Sequence, residues 1–356
     1  MIALAKRKIK IKIKKQKARL LLGFLLIYIS CEKPIKENKI SGMTMGTTYS
    51  VKIIDDKKMN LVTLKYSIDS ILVNLNKEMS TWDPESEISR FNRWESTEPY
   101  KVSNSFFKVV EKGIDLSQKT NGLFDITVYD LLSMWGFGPN PKSGIPDKQR
   151  IQEVLSYTSF ENITPAMGSL IKKNPRTKLD LNAIAKGYGV DVVFHFIKSR
   201  GFKNVFVEIG GEVRFSGYNR KRKNWSLGLE NPPDSSLNNN EPFFCILQNN
   251  SSAVATSANY RNFVDLNGAI LGHTVNPKSG FPVQTNVLSV TVIAETCMEA
   301  DGWATALMTL GYIEGSNLLK HNKEVSAIWV LKEKSGSRLI ASNKNHNILN
   351  PIYKIK

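Results

Sequence analysis

The apolar residues of this chain change their spacing repeatedly, and the order of those changes limits the possible folds. Helical spacing predicts helices over residues 61–77 and 104–120, whereas alternation and short apolar runs predict strands. Several predicted strands follow one another without a helix between them, which favours hairpins over the crossovers of a doubly wound sheet. We therefore predict an α+β fold, with helices packed on a mixed or antiparallel sheet in a single two-lobed unit. Strands are expected near residues 48–54, 204–209, 213–218, 225–229, 243–248, 288–294 and 327–331, and a short helix over 151–155.

The positive charge of the chain is concentrated at its start. The net charge is +17, but residues 1–30 hold nine of the 49 basic residues and no acidic one. Over the remainder, 40 basic residues face 32 acidic ones, a balance of +8 that does not indicate nucleic-acid binding. The basic start leads into ten apolar residues, 20–29, whereas a membrane-crossing helix needs about 20. This arrangement predicts a signal peptide over residues 1–30.

The apolar run ends at Ser30 and Cys31, and a small residue followed by cysteine at this point resembles a bacterial lipobox. We predict lipid attachment at Cys31, a tether over residues 31–42, and a position on the extracytoplasmic, periplasmic side of a bacterial envelope. Cleavage without a lipid and an uncleaved anchor remain alternatives. Cys245 and Cys297 lie in apolar runs and are expected to be buried. No C-x-x-C pair or Cys/His cluster indicates a zinc or iron–sulfur site.

Residues 178–191 read as a strand that turns into a helix, which is a suitable place to hold a phosphate. Lys178 to Leu181 alternate polar and apolar residues, and helical spacing begins at Ala185. A helix N-terminus offers N–H groups and a positive dipole end, and Lys186 adds a full charge. Asp180 could pair with this lysine, orient a ligand group or help to place a metal. The alternative is an ordinary helix start with a solvated lysine.

Two further segments carry side chains suited to catalysis. Asp301 and Thr305 are four residues apart in a helical run, so they share a face and present hard oxygen ligands that suit Mg²⁺. A solvated Asp with a Thr bonded to its own helix is the alternative. His273 lies in a turn-rich loop, where it could accept a proton near neutral pH or serve only as a structural loop residue.

Aromatic residues and tight turns complete the set of candidates. Trp82 follows a predicted helix at an Asp-Pro turn, where it could stack on a flat ring or simply pack. Residues 122–128 add aromatic and carboxylate groups, and the double glycine in 208–212 allows close backbone approach. No G-x-x-x-x-G-K-[ST], G-x-G-x-x-G, H-E-x-x-H or G-x-S-x-G run occurs, which argues against the common nucleotide-binding and hydrolase motifs.

Eight motifs in one order resemble the ApbE family of FAD:protein FMN transferases, and the resemblance covers about residues 43–312. We place the corresponding domain at 43–345. The motifs are Thr44-Met45-Gly46-Thr47, Met79-Ser80-Thr81-Trp82, Phe124-Asp125-Ile126, Leu179 to Asp191, Val207 to Gly211, Ala255-Thr256-Ser257, His273 to Gly280 and Ala300 to Thr305.

The resemblance implies an enzyme that binds FAD as substrate, cleaves its pyrophosphate with Mg²⁺ and passes FMN to a Thr hydroxyl of an acceptor protein, releasing AMP. The implied metal ligands are Asp301, Thr305 and a main-chain oxygen of Ala183, and His273 is the implied base. The implied acceptor is a membrane redox subunit outside the cytoplasm. The implied FAD contacts are Met45, Trp82, Leu123, Phe124, Asp125, Asp180, Lys186 and Val275.

Two other functions stay open at this point. The first is a Mg²⁺-dependent FAD pyrophosphatase, in which water replaces the Thr hydroxyl and the products are FMN and AMP. The second is a flavin-binding lipoprotein without catalysis. The same lysine, metal ligands and histidine would serve the transferase and the pyrophosphatase, so the residues do not separate these two.

Overall fold

The structure is a computed structural model, and it describes residues 35–231, 243–249, 251–258, 263–266, 269–272, 274–333, 336–342 and 347–349. The predicted signal peptide, Cys31 and His273 lie outside the described residues. Residues 37–42, which we assigned to the tether, lie in the first strand. Within the described ranges, no helix combines the length and apolar character that crossing a bilayer requires.

The helices lie close to their predicted positions and most begin at a polar cap. Asn60, for example, accepts hydrogen bonds from the N–H groups of Val62 and Thr63, each at 3.1 Å. The helices are Leu61–Met79 (α1), Glu87–Arg93 (α2), Asn104–Lys119 (α3), Tyr129–Met134 (α4), Lys148–Leu155 (α5), Ala185–Ser199 (α6) and Cys297–Leu319 (α7), the last interrupted at Gly311.

In the described ranges, the strands form one large sheet and three small ones. They are Glu37–Thr44 (β1), Thr47–Ile54 (β2), Tyr100–Lys101 (β3), Ile163–Ala166 (β4), Ser169–Lys172 (β5), Val205–Ile209 (β6), Glu212–Ser216 (β7), Trp225–Glu230 (β8), Phe243–Asn249 (β9), Ser251–Ala258 (β10), Phe263–Leu266 (β11), Ala269–Gly272 (β12), Val287–Ala294 (β13), Ser326–Glu333 (β14), Gly336–Ala341 (β15) and Asn347–Leu349 (β16). The large sheet has the order β1-β2-β6-β7-β10-β13-β14-β15, and every neighbouring pair in it is antiparallel.

This arrangement confirms the predicted α+β class and the antiparallel alternative for the sheet. Short connections join three pairs of neighbouring strands in the described sheet, β1–β2, β6–β7 and β14–β15. In the β6–β7 turn, Gly210 and Gly211 adopt positive φ angles of 62° and 106°. Helix α7 covers the centre of the sheet, where the fully buried Trp303 and Leu307 belong to the same apolar cluster as Val290. Cys297, at the start of α7, is also fully buried, as predicted.

The strand predicted for residues 178–181 does not form. Leu179 is fully buried, but its backbone bonds to a side chain instead of a neighbouring strand. Its N–H donates to Asn92 Oδ1 at 2.7 Å, and the Asn92 amide donates back to its carbonyl oxygen at 2.8 Å. Because the asparagine satisfies both backbone groups of Leu179, this residue can be buried without a partner strand.

Lys172 is a buried lysine whose ammonium group contacts no carboxylate of the described residues. Its Nζ donates to the carbonyl oxygen of Trp94 at 2.8 Å and lies 4.6 Å from the centre of the Phe91 ring. Burial, together with the charge of Lys178, lowers the pKa of Lys172 to about 8. At neutral pH this side chain therefore holds a charge in a place that disfavours it.

We expect Lys172→Met to reveal the cost of burying this charge through the pH dependence of the free energy of unfolding. Between the folded-state pKa of about 8 and the ordinary value of 10.5, the unfolded chain holds the proton that the folded chain releases. The wild-type protein should therefore gain about 2 kcal/mol of unfolding free energy relative to the variant from pH 8 to pH 10. Urea unfolding at both pH values measures this gain. Lys173→Met, at the exposed neighbouring lysine, is the matched control; a difference that does not change with pH would contradict the prediction.

Candidate active site

Helix α6 begins without a side-chain cap of its own, and a carboxylate from α7 takes that place. Ile184 precedes the helix and provides no capping hydrogen bond. The N–H of Gly187 donates instead to Oδ2 of Asp301 at 2.9 Å. Gly187 is the third residue of α6, so its N–H is one of the first-turn donors that have no partner within the helix. The two segments singled out from the sequence therefore meet at the start of α6.

The approach of the two helices is possible only because residue 187 is glycine. A Cβ atom at this position would lie 2.3 Å from the carbonyl oxygen of Cys297 and 2.8 Å from Cβ of Asp301. Asp301 is only 4% exposed, so its carboxylate is held inside the contact between α6 and α7. The alternative of a solvated Asp301 is thereby excluded.

Lys186 lies between two carboxylates. Its Nζ is 2.8 Å from Oε1 of Glu212 and 3.8 Å from Oδ1 of Asp301. The lysine side chain retains 30% exposure, whereas Glu212 is only 5% exposed. The second oxygen of Glu212, Oε2, is buried and has no hydrogen-bond partner among the described residues. The lysine thus has one close partner and an open side.

Sequence reasoning did not identify Glu212 as a site residue. The available signal was a carboxylate directly after the double glycine of a predicted hairpin. The β6–β7 turn places Glu212 opposite Ile209 of β6, and β6 in turn pairs with β2. Its approach to Lys186 depends on contacts between residues that are 26 positions apart, which no local pattern shows.

The pKa values of Asp301 and Lys186 are both raised. Burial raises the pKa of Asp301 to about 7; the lysine charge opposes this shift and Glu212 adds to it. Burial alone would lower the pKa of Lys186, but the charges of Asp301 and Glu212 hold it above its ordinary value. Two carboxylates around one ammonium group leave an excess of negative charge, which suits a cation.

A second buried ion pair holds α7 in position. Asp191 of α6 accepts hydrogen bonds from the N–H groups of Cys297 and Met298, both at 2.9 Å. The same carboxylate pairs with Arg214 of β7 at 2.7 Å. Asp191 therefore caps α7 from outside and fixes the helix start that carries Asp301. Asp191 ends the motif that runs from Leu179, and the sequence alone assigns it no role.

The oxygen atoms near Asp301 suit a hard cation. Thr305 lies one helical turn further along α7, and its hydroxyl is 3.4 Å from the Ser257 hydroxyl. Among the residues that the structure describes, no three His, Cys, Asp or Glu side chains group together as a metal site. The predicted ligand set is smaller, consisting of the Asp301 carboxylate, the Thr305 hydroxyl and the main-chain oxygen of Ala183, two residues before α6. Mg²⁺ uses few protein ligands and completes its shell with water or phosphate oxygens, so these residues fit it.

Met45 lies beside the same helix. It occupies the β1–β2 turn with a positive φ of 48°, and its side chain packs against two of the apolar clusters. A Cβ atom on Gly189 would be 3.1 Å from Cε of Met45, which places the methionine about one turn along α6 from Lys186. Met45 therefore lies against the first two turns of α6, the part of the helix that carries Lys186.

The predicted contacts Asp125 and Asp180 are neighbours, because the Asp180 N–H donates to the carbonyl oxygen of Ile126 at 2.8 Å. Both carboxylates are already bonded locally. Asp180 accepts from the backbone and side-chain nitrogens of Asn182 at 2.9 and 3.0 Å. It does not pair with Lys186, whose close partner is Glu212. Burial raises the pKa of both aspartates, against the lowering effect of their hydrogen bonds.

Asp125 is fixed by three hydrogen bonds. Its Oδ1 accepts from the N–H and the hydroxyl of Thr127 at 2.8 and 2.6 Å, and its Oδ2 accepts from the Phe160 N–H at 2.8 Å. The neighbouring Phe124 is 3% exposed and belongs to the main apolar cluster, whereas Leu123 is half-buried. Of these three predicted contacts, Leu123 has the greatest exposure.

Val275 belongs to a separate small cluster with residues of α4 and α5, and it is 5% exposed. It forms an antiparallel bridge to Pro282, which closes a hairpin. This hairpin lies beside the 123–125 loop, since a Cβ atom on Gly122 would be 3.8 Å from Cε of Lys278. Trp82, by contrast, is 65% exposed at the turn between α1 and α2, so it is not an ordinary packing tryptophan.

Comparison with known proteins gives a consistent result. The sequence model of the ApbE family matches residues 45–329. An FAD:protein FMN transferase from Vibrio cholerae is 37% identical over 324 residues, which cover 90% of this chain and 96% of the relative. The corresponding protein from Haemophilus influenzae is 36% identical, with 82% and 85% covered.

The solved structures agree with the sequence relatives. The flavin transferase ApbE from Vibrio cholerae matches the structure with a TM-score of 0.80 at 36% identity, covering 87% of this chain and 98% of that protein. The flavinyl transferase ApbE from Pseudomonas stutzeri, in its apo form, gives a TM-score of 0.78 at 31% identity, with 86% and 95% covered. The matches extend over nearly the whole described fold, and the chain therefore belongs to the ApbE family.

Proposed function

We propose that this chain is an FAD:protein FMN transferase that depends on Mg²⁺ and acts on a Thr hydroxyl of an acceptor protein. The observation that carries the proposal is the group formed by Lys186, Asp301 and Glu212 at the N-terminus of α6. Relatives with this activity in their names share 36–37% of their residues with the chain over most of their length.

Lys186 is suited to the pyrophosphate of FAD. It lies in the first turn of α6, where the helix dipole favours an anion, and its ammonium group keeps an open side. The raised pKa keeps the group protonated across the physiological range. A fixed positive charge beside the phosphorus would stabilise the negative charge that develops on the phosphate oxygens.

The divalent cation would be held by Asp301, Thr305 and the Ala183 carbonyl. Bound there, Mg²⁺ would supply neutralisation of the pyrophosphate charge. The chain's contribution is to hold these oxygens rigidly, with Asp301 fixed by the Gly187 N–H and Thr305 placed one turn away. Met45 and the exposed Trp82 offer apolar surfaces for the flavin ring.

The reaction requires that the acceptor hydroxyl oxygen bond to the phosphorus of the FMN half while the phosphorus–oxygen bond to AMP breaks. The hydroxyl proton passes to a base, for which we propose His273. We expect His273→Ala to keep FAD binding and to lower the rate of transfer by about 10²-fold or more. His321→Ala, at an exposed histidine after α7, is the matched control. Unchanged transfer by the His273 variant would remove the histidine from the mechanism.

The acceptor distinguishes a transferase from a pyrophosphatase. Incubation with FAD, Mg²⁺ and a candidate acceptor, with and without its Thr, should produce flavin covalently bound only to the intact acceptor, together with AMP. Release of free FMN in both samples, without a covalent product, would replace the transferase by a pyrophosphatase. A flavin-binding lipoprotein without catalysis would release no AMP in either sample.

We further propose that the protein acts on the extracytoplasmic side of the envelope, anchored through a lipid on Cys31, and that its acceptor is a membrane redox subunit. The basic start and the apolar run of residues 20–29 that ends at this cysteine support the anchor. Mass spectrometry of envelope proteins from cells with and without this chain would find the acceptor through its added FMN. The anchor predicts that the wild type is lipidated and membrane-bound and that Cys31→Ala is soluble and unlipidated. Wild-type protein that is itself soluble and unlipidated would exclude the anchor.

A further inference from the structure

Two carboxylates compete for one lysine at the proposed metal site. Lys186 Nζ is 2.8 Å from Oε1 of Glu212, which is a hydrogen-bonded ion pair, and 3.8 Å from Oδ1 of Asp301, which is too long for a hydrogen bond. A movement of about 1 Å along a flexible lysine side chain would bring Nζ into full contact with Asp301. A small movement of the lysine would therefore close the gap between Nζ and Oδ1 of Asp301.

Glu212 is well placed to prevent that movement. It is fixed at the start of β7 by the tight β6–β7 turn, where Gly210 and Gly211 have positive φ angles and the Gly211 N–H donates to Glu208 at 2.9 Å. The residue is 5% exposed, and its Oε2 has no hydrogen-bond partner among the described residues. A buried carboxylate with an unpaired oxygen is costly, so its retention is better explained by function than by stability.

We propose that Glu212 is a positioning residue that holds Lys186 away from Asp301 and so keeps Oδ1 of Asp301 available for the divalent cation. The inference rests on the proposed function, since it takes Asp301 as a metal ligand. Oδ2 of Asp301 already accepts the Gly187 N–H, so Oδ1 is the oxygen with the greater capacity left for another partner. An ion pair between Lys186 and Oδ1 would occupy that atom and compete directly with the cation.

The consequence is a division of work between the two carboxylates. Glu212 holds the lysine, and Asp301 remains available for the metal. Loss of Glu212 should therefore weaken cation binding chiefly through the lysine. If Glu212 acted only through its own negative charge, or bound the cation itself, its loss would weaken binding whether or not the lysine were present.

The test is a double-mutant cycle on Mn²⁺ affinity, with Mn²⁺ as a spectroscopic substitute for Mg²⁺ and no FAD present. Electron paramagnetic resonance of free Mn²⁺ gives the Kd for the wild type, Glu212→Ala, Lys186→Met and the double variant. We expect Glu212→Ala to raise the Kd about 10-fold in the wild-type background and less than about 3-fold in the Lys186→Met background. An equal increase in both backgrounds would overturn the positioning role.

Glu212→Gln supplies a second criterion. Its amide oxygen can still accept the hydrogen bond from Lys186, although the charge is lost. The positioning role predicts a smaller increase in Kd for Gln than for Ala, whereas a purely electrostatic role predicts equal increases. Thermal unfolding of both variants measures any general destabilisation separately. Asp301→Asn tests the underlying site: if it leaves Mn²⁺ affinity unchanged, the metal site is wrong, whatever Glu212 does.

Discussion

Asp301→Asn should lower the rate of FMN transfer about 10³-fold while the protein remains folded. Asn has the shape of Asp, and its side-chain oxygen can still accept the hydrogen bond from Gly187, so the contact between α6 and α7 is preserved. The substitution removes the negative charge that would hold the cation opposite the pyrophosphate. A loss of about 4 kcal/mol in stabilisation of the transition state corresponds to a rate decrease of this size.

The same substitution should leave stability unchanged or increase it, which separates a functional effect from unfolding. Burial raises the folded-state pKa of Asp301 to about 7, above its ordinary value of 3.8. Between these values the folded chain binds a proton that the unfolded chain has released, so the contribution of this group to stability falls as pH rises from 4 to 7. At neutral pH and without metal, the carboxylate is therefore a cost, which the neutral amide removes. A functional group that weakens its own fold is common at active sites.

Glu299→Gln is the matched control for Asp301→Asn. Glu299 lies two residues earlier on α7, and its carboxylate pairs with Lys112 at 2.9 Å, away from Lys186. We expect this variant to retain transfer activity, with at most a small decrease in stability. Transfer rates at several Mg²⁺ concentrations and thermal unfolding without metal provide the measurements. Equal loss of activity in the two variants, or an unaltered Mg²⁺ requirement in Asp301→Asn, would contradict the assignment of Asp301.

The regular elements of this fold could be predicted because the relevant signals are local. Alternation along 48–54 and 288–294 and helical spacing along 61–77 determine which faces are buried, and the observed elements differ by one or two residues at their ends. Residues 178–181 also alternate, yet they form no strand. The partner of this backbone is the side chain of Asn92, 87 residues away, and periodicity contains no information about such a partner.

The candidate site shows the same division between local and distant information. Lys186 and Asp301 were identified from motifs, and the structure places them 3.8 Å apart. The partner of the lysine was not identified, because Glu212 lies 26 residues further along the chain, in the β6–β7 hairpin of the large sheet. Asp180 was the local candidate for this pairing, but it bonds to Asn182, two residues further along. Asp180 therefore bonds to a residue close to it in the sequence, whereas Lys186 pairs with Glu212 of β7.

Gly187→Ala should be the most disruptive single-methyl addition in this site. Its new Cβ atom would lie 2.3 Å from a backbone carbonyl oxygen of Cys297, and backbone cannot move aside as the end of a flexible side chain can. We expect a loss of about 3 kcal/mol or more in the free energy of unfolding, because α6 and α7 must separate to accept the methyl group. Any separation also lengthens the bond from the 187 N–H to Asp301, so Mn²⁺ affinity should fall together with stability.

Gly189→Ala, two residues along the same helix, distinguishes this close approach from a general effect of adding alanine. Its Cβ would meet Cε of Met45 at 3.1 Å, the end of a flexible side chain, and alanine is the better helix former by about 1 kcal/mol. Its stability and its Mn²⁺ affinity should therefore remain close to those of the wild type. Urea unfolding and Mn²⁺ titration of both variants make the comparison. If Gly187→Ala proved as stable as Gly189→Ala and bound Mn²⁺ equally well, then the contact between α6 and α7 would not be what holds Asp301, and the site would have to be built differently.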